Sequence, residues 1–271
     1  DFANGMMNIN GETHFTEEVE KNIEEFLVMK PELNSQMLNL APGENLLMAV
    51  AGSMDLKKVQ ELVKKFSVPE LDTVSNKVEM AVGMEIEDLL ASISGDFAIT
   101  INALDAEAMI PVELFVGVGV NGEALQERLM ETIGSMVPLE EEGDFFTINI
   151  QGNEIYSGII NDILVVTNAK GYKEAVKGGT LENSLADSKF SEFATGSMGM
   201  FLDLDIEDYP GIVKSMLDQN QERTQWVRRL TDPFDYLGIS AGNYESKMVV
   251  KTSSPSENSL YTILKVLDKP E

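Results

Sequence analysis

The chain of 271 residues contains no cysteine, a single histidine, His14, and a single tryptophan. Without cysteine there are no disulfides, thiolate metal sites, iron–sulfur clusters or cysteine nucleophiles. With one histidine, a histidine-rich metal site is excluded. A serine–histidine–acid triad would need a nucleophile elbow beside His14, and the chain has no G-x-S-x-G sequence. We therefore expect His14 to be a surface residue at the end of a strand.

Basic residues are also scarce, because 46 acidic residues stand against 20 basic ones and the formal net charge is -26. Residues 1–143 hold 27 acidic and 8 basic residues, and residues 144–271 hold 19 and 12. Phosphate binding needs a positive surface, so nucleic acid and anionic lipid are disfavoured as partners. The charge predicts a solvated, soluble surface, with an acidic face for cations or a basic partner as the alternative.

The chain has no run of eighteen apolar residues, and its first residues, DFANGMMNINGE, lack the basic and apolar regions of a signal peptide. It begins with Asp1 and not with methionine. We therefore expect a fragment from which a targeting segment has been removed. The sequence itself assigns no cellular compartment.

Hydrophobic periodicity predicts one unit that occurs twice, over Leu46–Met136 and Met198–Leu267: a strand, a helical stretch, a two-stranded hairpin and a closing helix. A meander of three strands lies between them, over Phe145–Gln151, Glu154–Ile160 and Ile163–Thr167. Since hairpins are antiparallel, the predicted fold is α+β, mostly antiparallel sheet with helices packed on one face. The expected domains are residues 1–143 and 144–271, or one continuous domain.

Other elements follow from the same periodicities. A strand is predicted over Gly5–Phe15, and an acidic helix from Thr16 to about Leu38. Further helices are predicted over Val74–Ile93 and from Ile212 through Trp226 to Leu230, and short ones near Lys170–Lys177 and from Ser256 or Glu257 onward.

The strictest motif is Gly117–Gly122, which satisfies G-x-G-x-x-G between a strand and a helix. In a dinucleotide-binding fold, such glycines bring a helix N-terminus against a pyrophosphate. Here the preceding strand reads as the second arm of a hairpin, and the matching position of the second unit has no glycine. We therefore favour the interpretation that Gly117 and Gly119 make room for close packing, with nucleotide binding as the alternative.

An acidic cluster, Asp203, Asp205, Glu207 and Asp208, is reminiscent of a calcium loop but lacks the glycine and the distal glutamate of an EF-hand. A helix N-terminus capped by Asp205 explains the cluster more simply. The methionines at strand positions are expected to fill gaps in the core. Trp226 beside Arg223, Arg228 and Arg229 is either a partner site or a complement to the acidic half.

Four segments carry a family resemblance: SGDFAITIN (Ser94–Asn102), ILVVTNAKGYKEAV (Ile163–Val176), GSMGMFLDLD (Gly196–Asp205) and SENSLYTILKVLD (Ser256–Asp268). They resemble an uncharacterised domain-of-unknown-function family of exported Bacteroidetes lipoproteins, whose longer members this chain would match in their C-terminal portion. The resemblance implies a lipid anchor outside this chain and a place at the cell envelope, periplasmic or surface. It implies no activity and no site residues.

From the residues and the resemblance together, we expect a non-enzymatic envelope protein with a binding or structural role and an unidentified protein or glycan partner. The first alternative is a hydrolase that acts on glycans or peptides through paired carboxylates. The second is a nucleotide-binding module at Gly117–Gly122. The sequence assigns no catalytic, cofactor-binding or metal-binding residue.

Overall fold

The computed structural model describes residues 5–66, 77, 79–80, 82–103, 112–150, 152–211, 214–215, 227–228, 231–254, 256 and 258–267. This part of the chain is α+β, as the sequence predicts, and is dominated by one sheet of eleven strands. The strands are β1 (Met6–Glu12), β2 (Leu46–Ser53), β3 (Ile93–Ala103), β4 (Val112–Val120), β5 (Leu139–Glu142), β6 (Phe145–Ile150), β7 (Asn153–Ile160), β8 (Ile163–Thr167), β9 (Met198–Asp203), β10 (Phe234–Ala241) and β11 (Glu245–Thr252).

The strand order across the sheet is β1-β11-β10-β9-β2-β3-β4-β8-β7-β6-β5, and every neighbouring pair is antiparallel. Both predicted modules contribute to this sheet, because β2 pairs with β9, β4 with β8 and β1 with β11. In both predicted units, the first strand pairs with the first arm of its own hairpin, giving the orders β2-β3-β4 and β9-β10-β11.

Seven α-helices lie in the described residues. They are α1 (Glu17–Ile23), α2 (Ser35–Leu40), α3 (Leu56–Phe66), α4 (Ile86–Ser92), α5 (Ala124–Gly134), α6 (Tyr172–Ala175) and α7 (Ser259–Leu267). Short 3-10 helices cover Glu24–Phe26, Val176–Gly178, Leu185–Asp187, Lys189–Phe193 and Ile206–Asp208. No described helix is long and apolar enough to cross a membrane.

The predicted meander is confirmed as β6, β7 and β8. Its turns use the residues that tolerate positive φ angles: Gly152 has φ of 88°, Asn161 of 50° and Asp162 of 60°. Glu140, Glu141 and Glu142 lie in β5, an edge strand that pairs with β6. Charged side chains are common on such edges because they oppose pairing with another chain.

The prediction of one helix from Thr16 to Leu38 is wrong. Thr16 does cap α1, with its hydroxyl accepting from the Val19 amide at 3.5 Å, but the helix ends at Ile23. Pro31 disfavours helical conformation at the residue before it, and the chain stays irregular until Asn34 caps α2. The break leaves Lys30 in an extended segment that reaches the sheet.

The prediction that helices pack on one face is also wrong. In β8, Ile163 and Val165 belong to the main core together with Met37 of α2 and residues of α6. Leu164 points to the opposite face, because successive strand residues alternate. There it joins a second cluster that includes residues of α4 and α5. Helices therefore cover both faces, since strands near the sheet centre are apolar on both sides.

Some sequence-based predictions lie outside the described residues. Of the basic patch, only Arg228 is described, and Trp226, Arg223 and Arg229 are not. The same holds for the first part of the helix predicted over Val74–Ile93 and for most of the helix predicted from Ile212 to Leu230.

Candidate functional site

The glycine motif lies in antiparallel sheet. β4, which carries Gly117 and Gly119, pairs antiparallel with β3 on one side and β8 on the other. A Cβ on Gly117 would lie 2.5 Å from the Met37 sulfur, and one on Gly119 would collide with the Ser94 hydroxyl. These glycines serve close packing, and the strand that carries them is not part of a parallel βαβ unit.

The acidic cluster at the end of β9 contains the predicted helix cap. Asp205 accepts a hydrogen bond at 2.9 Å from the Glu207 amide and begins the 3-10 helix Ile206–Asp208. Its own amide donates to Asp203 Oδ1, also at 2.9 Å. Among the described residues, no group of three histidine or carboxylate side chains is arranged to hold a metal ion.

His14 follows the end of β1, as predicted, and its side chain is 78% exposed. Its Nε2 lies 3.3 Å from Glu12 Oε1 at the protein surface. The strand methionines Met48 and Met200 are half-buried, in agreement with a packing role, whereas Met198 is 37% exposed.

The residue that stands apart in the acidic cluster is Asp203. It ends β9 on the same face as Phe201, and the residue is only 5% exposed. It lines a cleft of about 310 Å³ between the end of β9 and the start of β2. The cleft is bordered by Gly43, Asn45, Leu46, Leu47, Ala103, Ser188, Lys189, Phe201, Asp203 and Asp208.

The carboxylate of Asp203 lacks a compensating ion pair. No ion pair joins it to any described lysine, arginine or histidine. Burial, with smaller contributions from the charges of Asp208 and Asp205, raises the pKa of Asp203 to about 6. The Asp205 amide and the more distant charge of Lys189 only partly oppose this shift. Buried charges are usually paired with an opposite charge, so the Asp203 carboxylate is available to pair with a cation.

Two neighbours shape the surroundings of Asp203. Lys189 Nζ lies 5.9 Å from the centre of the Tyr236 ring, a cation–π distance. Tyr209 donates from its hydroxyl to the Asp203 backbone carbonyl at 2.7 Å. Burial, and then the charge of Asp203, raise the pKa of this tyrosine, so it stays neutral. Both contacts stabilise residues that border the cleft, and neither neutralises the carboxylate of Asp203.

A second buried carboxylate, Asp96 of β3, lies opposite Ser53, at the end of β2. Lys30 Nζ lies 2.9 Å from Asp96 Oδ1 and donates to the Ser94 carbonyl at 3.0 Å. The Ser53 hydroxyl donates to Oδ1, and the Ser94 hydroxyl donates to Oδ2 at 2.9 Å. Asn34 completes the cluster from the start of α2, with its amide 3.4 Å from Oδ2.

In this Asp96 cluster, the negative charge of the carboxylate is compensated by its neighbours. Burial raises the pKa of Asp96, but the hydrogen bonds of Ser53, Lys30 and Ser94 outweigh it, so the pKa lies below its ordinary value. Ser53 is 1% exposed and already bonded to Asp96, so it is no accessible nucleophile. The cluster fastens the segment around Lys30 to the sheet.

A third carboxylate, Glu113 of β4, lies opposite Asn102 of β3. Burial, and then the charge of Glu44, raise its pKa. The buried Asn102 donates to the carbonyls of Pro42 and Glu44, and its own Oδ1 has no hydrogen-bond partner among the described residues. Glu113 and Glu44 are thus close enough for their charges to interact, but Glu113 does not border the Asp203 cleft.

Sequence reasoning found the acidic cluster but did not single out Asp203. The signal was present: Phe201 and Asp203 share a strand face by the period of two, and an aspartate on the face of a buried phenylalanine is unusual. Lys30 and Asp96 lie far apart in sequence, and no local pattern joins them. Comparison of the chain with protein-family models, curated proteins and solved structures found no match.

Proposed function

We propose that this chain is a non-enzymatic binding protein of a bacterial cell envelope, and that the Asp203 cleft is its binding site. The observation that carries the proposal is a buried carboxylate without an ion-pair partner among the described residues, at the border of an open cleft. Catalytic motifs are absent from the sequence, and Ser53, one of the two serines bonded to the buried carboxylate of Asp96, is itself inaccessible. The envelope location rests on the family resemblance alone.

We further propose that the sheet contains an internal repeat, with units that begin at β2 and β9. Three features support it: the equal strand orders β2-β3-β4 and β9-β10-β11, the antiparallel pairing of β2 with β9, and a capping aspartate two residues after each first strand. Asp55 accepts from the amides of Lys57 and Lys58, and Asp205 from that of Glu207.

A turnover screen tests the non-enzymatic proposal. The purified chain is incubated with panels of glycosides, glycans and peptides, and products are followed by mass spectrometry. We expect no product above the level formed without protein. Robust turnover that Asp203→Asn abolishes, while the exposed control Asp162→Asn retains it, would reject the proposal.

The hydrolase alternative is supported by one observation at the same cleft. A carboxyl group with a pKa near 6 beside a second carboxylate, Asp208, has the properties of a general acid and its partner. On this alternative, turnover would follow a bell-shaped pH profile whose alkaline limb, near pH 6, reports the general acid Asp203, and replacement of Asp208 by Asn would abolish turnover.

A further inference from the structure

We propose that the Asp203 cleft binds a primary ammonium group on an alkyl chain, such as the lysine side chain of a partner protein. This inference rests on the proposed binding function and names the chemistry of the ligand. It is based on three features: a carboxylate without an ion pair among the described residues, the lining of the cleft, and a lysine that pairs with the buried Asp96 near the end of β2.

The first feature is the negative charge of the buried Asp203 carboxylate. This carboxylate accepts a hydrogen bond from the amide of Asp205, two residues away, but forms no ion pair with any described residue. Asp208 adds a second carboxylate to the same cleft, so an incoming cation meets two negative groups. Lys189 also borders the cleft but forms no ion pair with either of them. An ammonium group of a ligand would supply the missing charge.

The second feature is the apolar part of the cleft. Leu46, Leu47 and Phe201 line it together with the carboxylates. Lysine side chains bury their methylene stem along apolar surface and keep the charged end near polar groups. A cleft with carboxylates and an apolar lining therefore suits an alkylammonium group better than a bare metal ion, since no group of three described histidine or carboxylate side chains is arranged to hold a metal.

The third feature is the Asp96 cluster, which lies beside the end of β2 as the cleft lies beside the end of β9. Asp96 itself belongs to β3, and Ser53 holds the position in β2 that Asp203 holds in β9. β2 and β9 pair antiparallel, and each is followed by a capping aspartate. At the end of β2, Lys30 brings its ammonium group to 2.9 Å from Asp96 and donates to the Ser94 carbonyl. The chain thus satisfies one buried carboxylate with its own lysine, and the cleft at Asp203 is left for the lysine of another molecule.

The overall charge favours the same class of ligand. A protein with a net charge of -26 attracts cations over long range, and it repels acidic ligands and a second copy of itself. The alternative expected from the charge of the sequence was an acidic face for cations or a basic partner. The proposal assigns this role to the Asp203 cleft.

The test uses Nα-acetyl-lysine N-methylamide, in which the side-chain ammonium is the only charge. Binding to the whole chain at pH 7.5 is followed by NMR chemical-shift titration. We expect weak saturable binding, a loss of about tenfold or more with Asp203→Asn, and a smaller loss with Asp208→Asn. The matched control is Asp162→Asn, which removes one exposed charge in a turn whose positive φ asparagine adopts readily.

A second probe carries a trimethylated ammonium group, which keeps the charge but has no N–H donor. We expect it to bind about tenfold more weakly, because the hydrogen bonds to the carboxylates are lost. Absence of binding by the wild-type chain, equal binding of both probes, or binding that survives Asp203→Asn in a protein with an unchanged fold by circular dichroism would overturn the inference.

The two proposals fail separately. If the lysine probe does not bind and the turnover screen is negative, the ammonium inference is wrong and the non-enzymatic proposal stands. If turnover depends on Asp203, the non-enzymatic proposal is wrong, whatever the probe does.

Discussion

Asp96 and Asp203 are two buried carboxylates of one sheet with opposite electrostatic surroundings. Lys30 and two serine hydroxyls stabilise the charge of Asp96, whereas burial and neighbouring carboxylates destabilise that of Asp203. A shift of one unit in pKa corresponds to about 1.4 kcal/mol between the protonation states. The ionised carboxylate of Asp96 therefore stabilises the fold at neutral pH. The ionised carboxylate of Asp203 destabilises it but is available to bind a ligand.

Replacing Asp203 with Asn is expected to stabilise the protein at neutral pH. The pKa of Asp203 in the folded chain, about 6, lies above its ordinary value of 3.8, so folding loses stability as the pH rises through 6. The loss amounts to at most about 3 kcal/mol in the free energy of unfolding. Urea unfolding at pH 4 and pH 7.5 measures it, and the asparagine variant should lack this decrease.

Asp162→Asn serves as the control, since Asp162 is exposed in the turn after β7. It should retain the pH profile of the wild-type chain. If Asp203→Asn gave that same profile, the carboxylate of Asp203 would not be the source of the decrease.

Replacing Lys30 with Met is expected to destabilise the chain by about 2–3 kcal/mol. A buried carboxylate without its cation is costly, although the Lys30 side chain is 34% exposed and solvent reduces the effect. Thermal and urea unfolding at pH 7 measure the loss, with the exposed Lys21→Met as the matched control. Adding Asp96→Asn to Lys30→Met should recover part of the loss, because the uncompensated charge is then gone. Additive losses would contradict this account.

At the scale of elements, alternation with a period of two predicted β3, β4 and the meander, because strand patterns and hairpin turns are local features of a sequence. The order of the strands in the sheet could not be predicted in the same way, since β2 and β9 meet across many intervening residues. The prediction of a long acidic helix was wrong for two reasons. Pro31 disfavours helical conformation at the residue before it, and the ion pair between Lys30 and Asp96 stabilises a non-helical segment there. Asp203 forms no ion pair with any described lysine, arginine or histidine. This depends on the folded arrangement of those side chains, so it could not be predicted from the sequence.

The packing role of the glycine motif leads to a prediction for β4. Gly117→Ala should destabilise the chain by about 1–3 kcal/mol, because the added methyl group meets the buried Met37 sulfur and the Phe115 ring. Gly178→Ala is the control, since a Cβ there has no heavy atom within 4 Å. Melting temperatures measure both effects. Added NAD or flavin nucleotides should not raise the melting temperature of the wild-type chain, and a clear rise would revive the nucleotide alternative.

At the scale of the whole molecule, the strand pairings that cross the boundary at residues 143 and 144 predict cooperative unfolding. β2 with β9, β4 with β8 and β1 with β11 each join residues from the two sides. Far-ultraviolet and near-ultraviolet circular dichroism should therefore report one coincident urea transition. Two separated transitions, each with its own midpoint, would indicate that residues 1–143 and 144–271 unfold independently.

The pairing of β1 with β11 also has a consequence for synthesis of the chain. Met6 lies opposite Lys251, so β1 is synthesised before the other ten strands and has no partner among them until β11 has been made. Contacts between such distant residues slow folding, because the entropy of closing a long loop must be overcome first. β1 is thus expected to join the sheet last, and the exposed edge of β11 is open to other strands until it does.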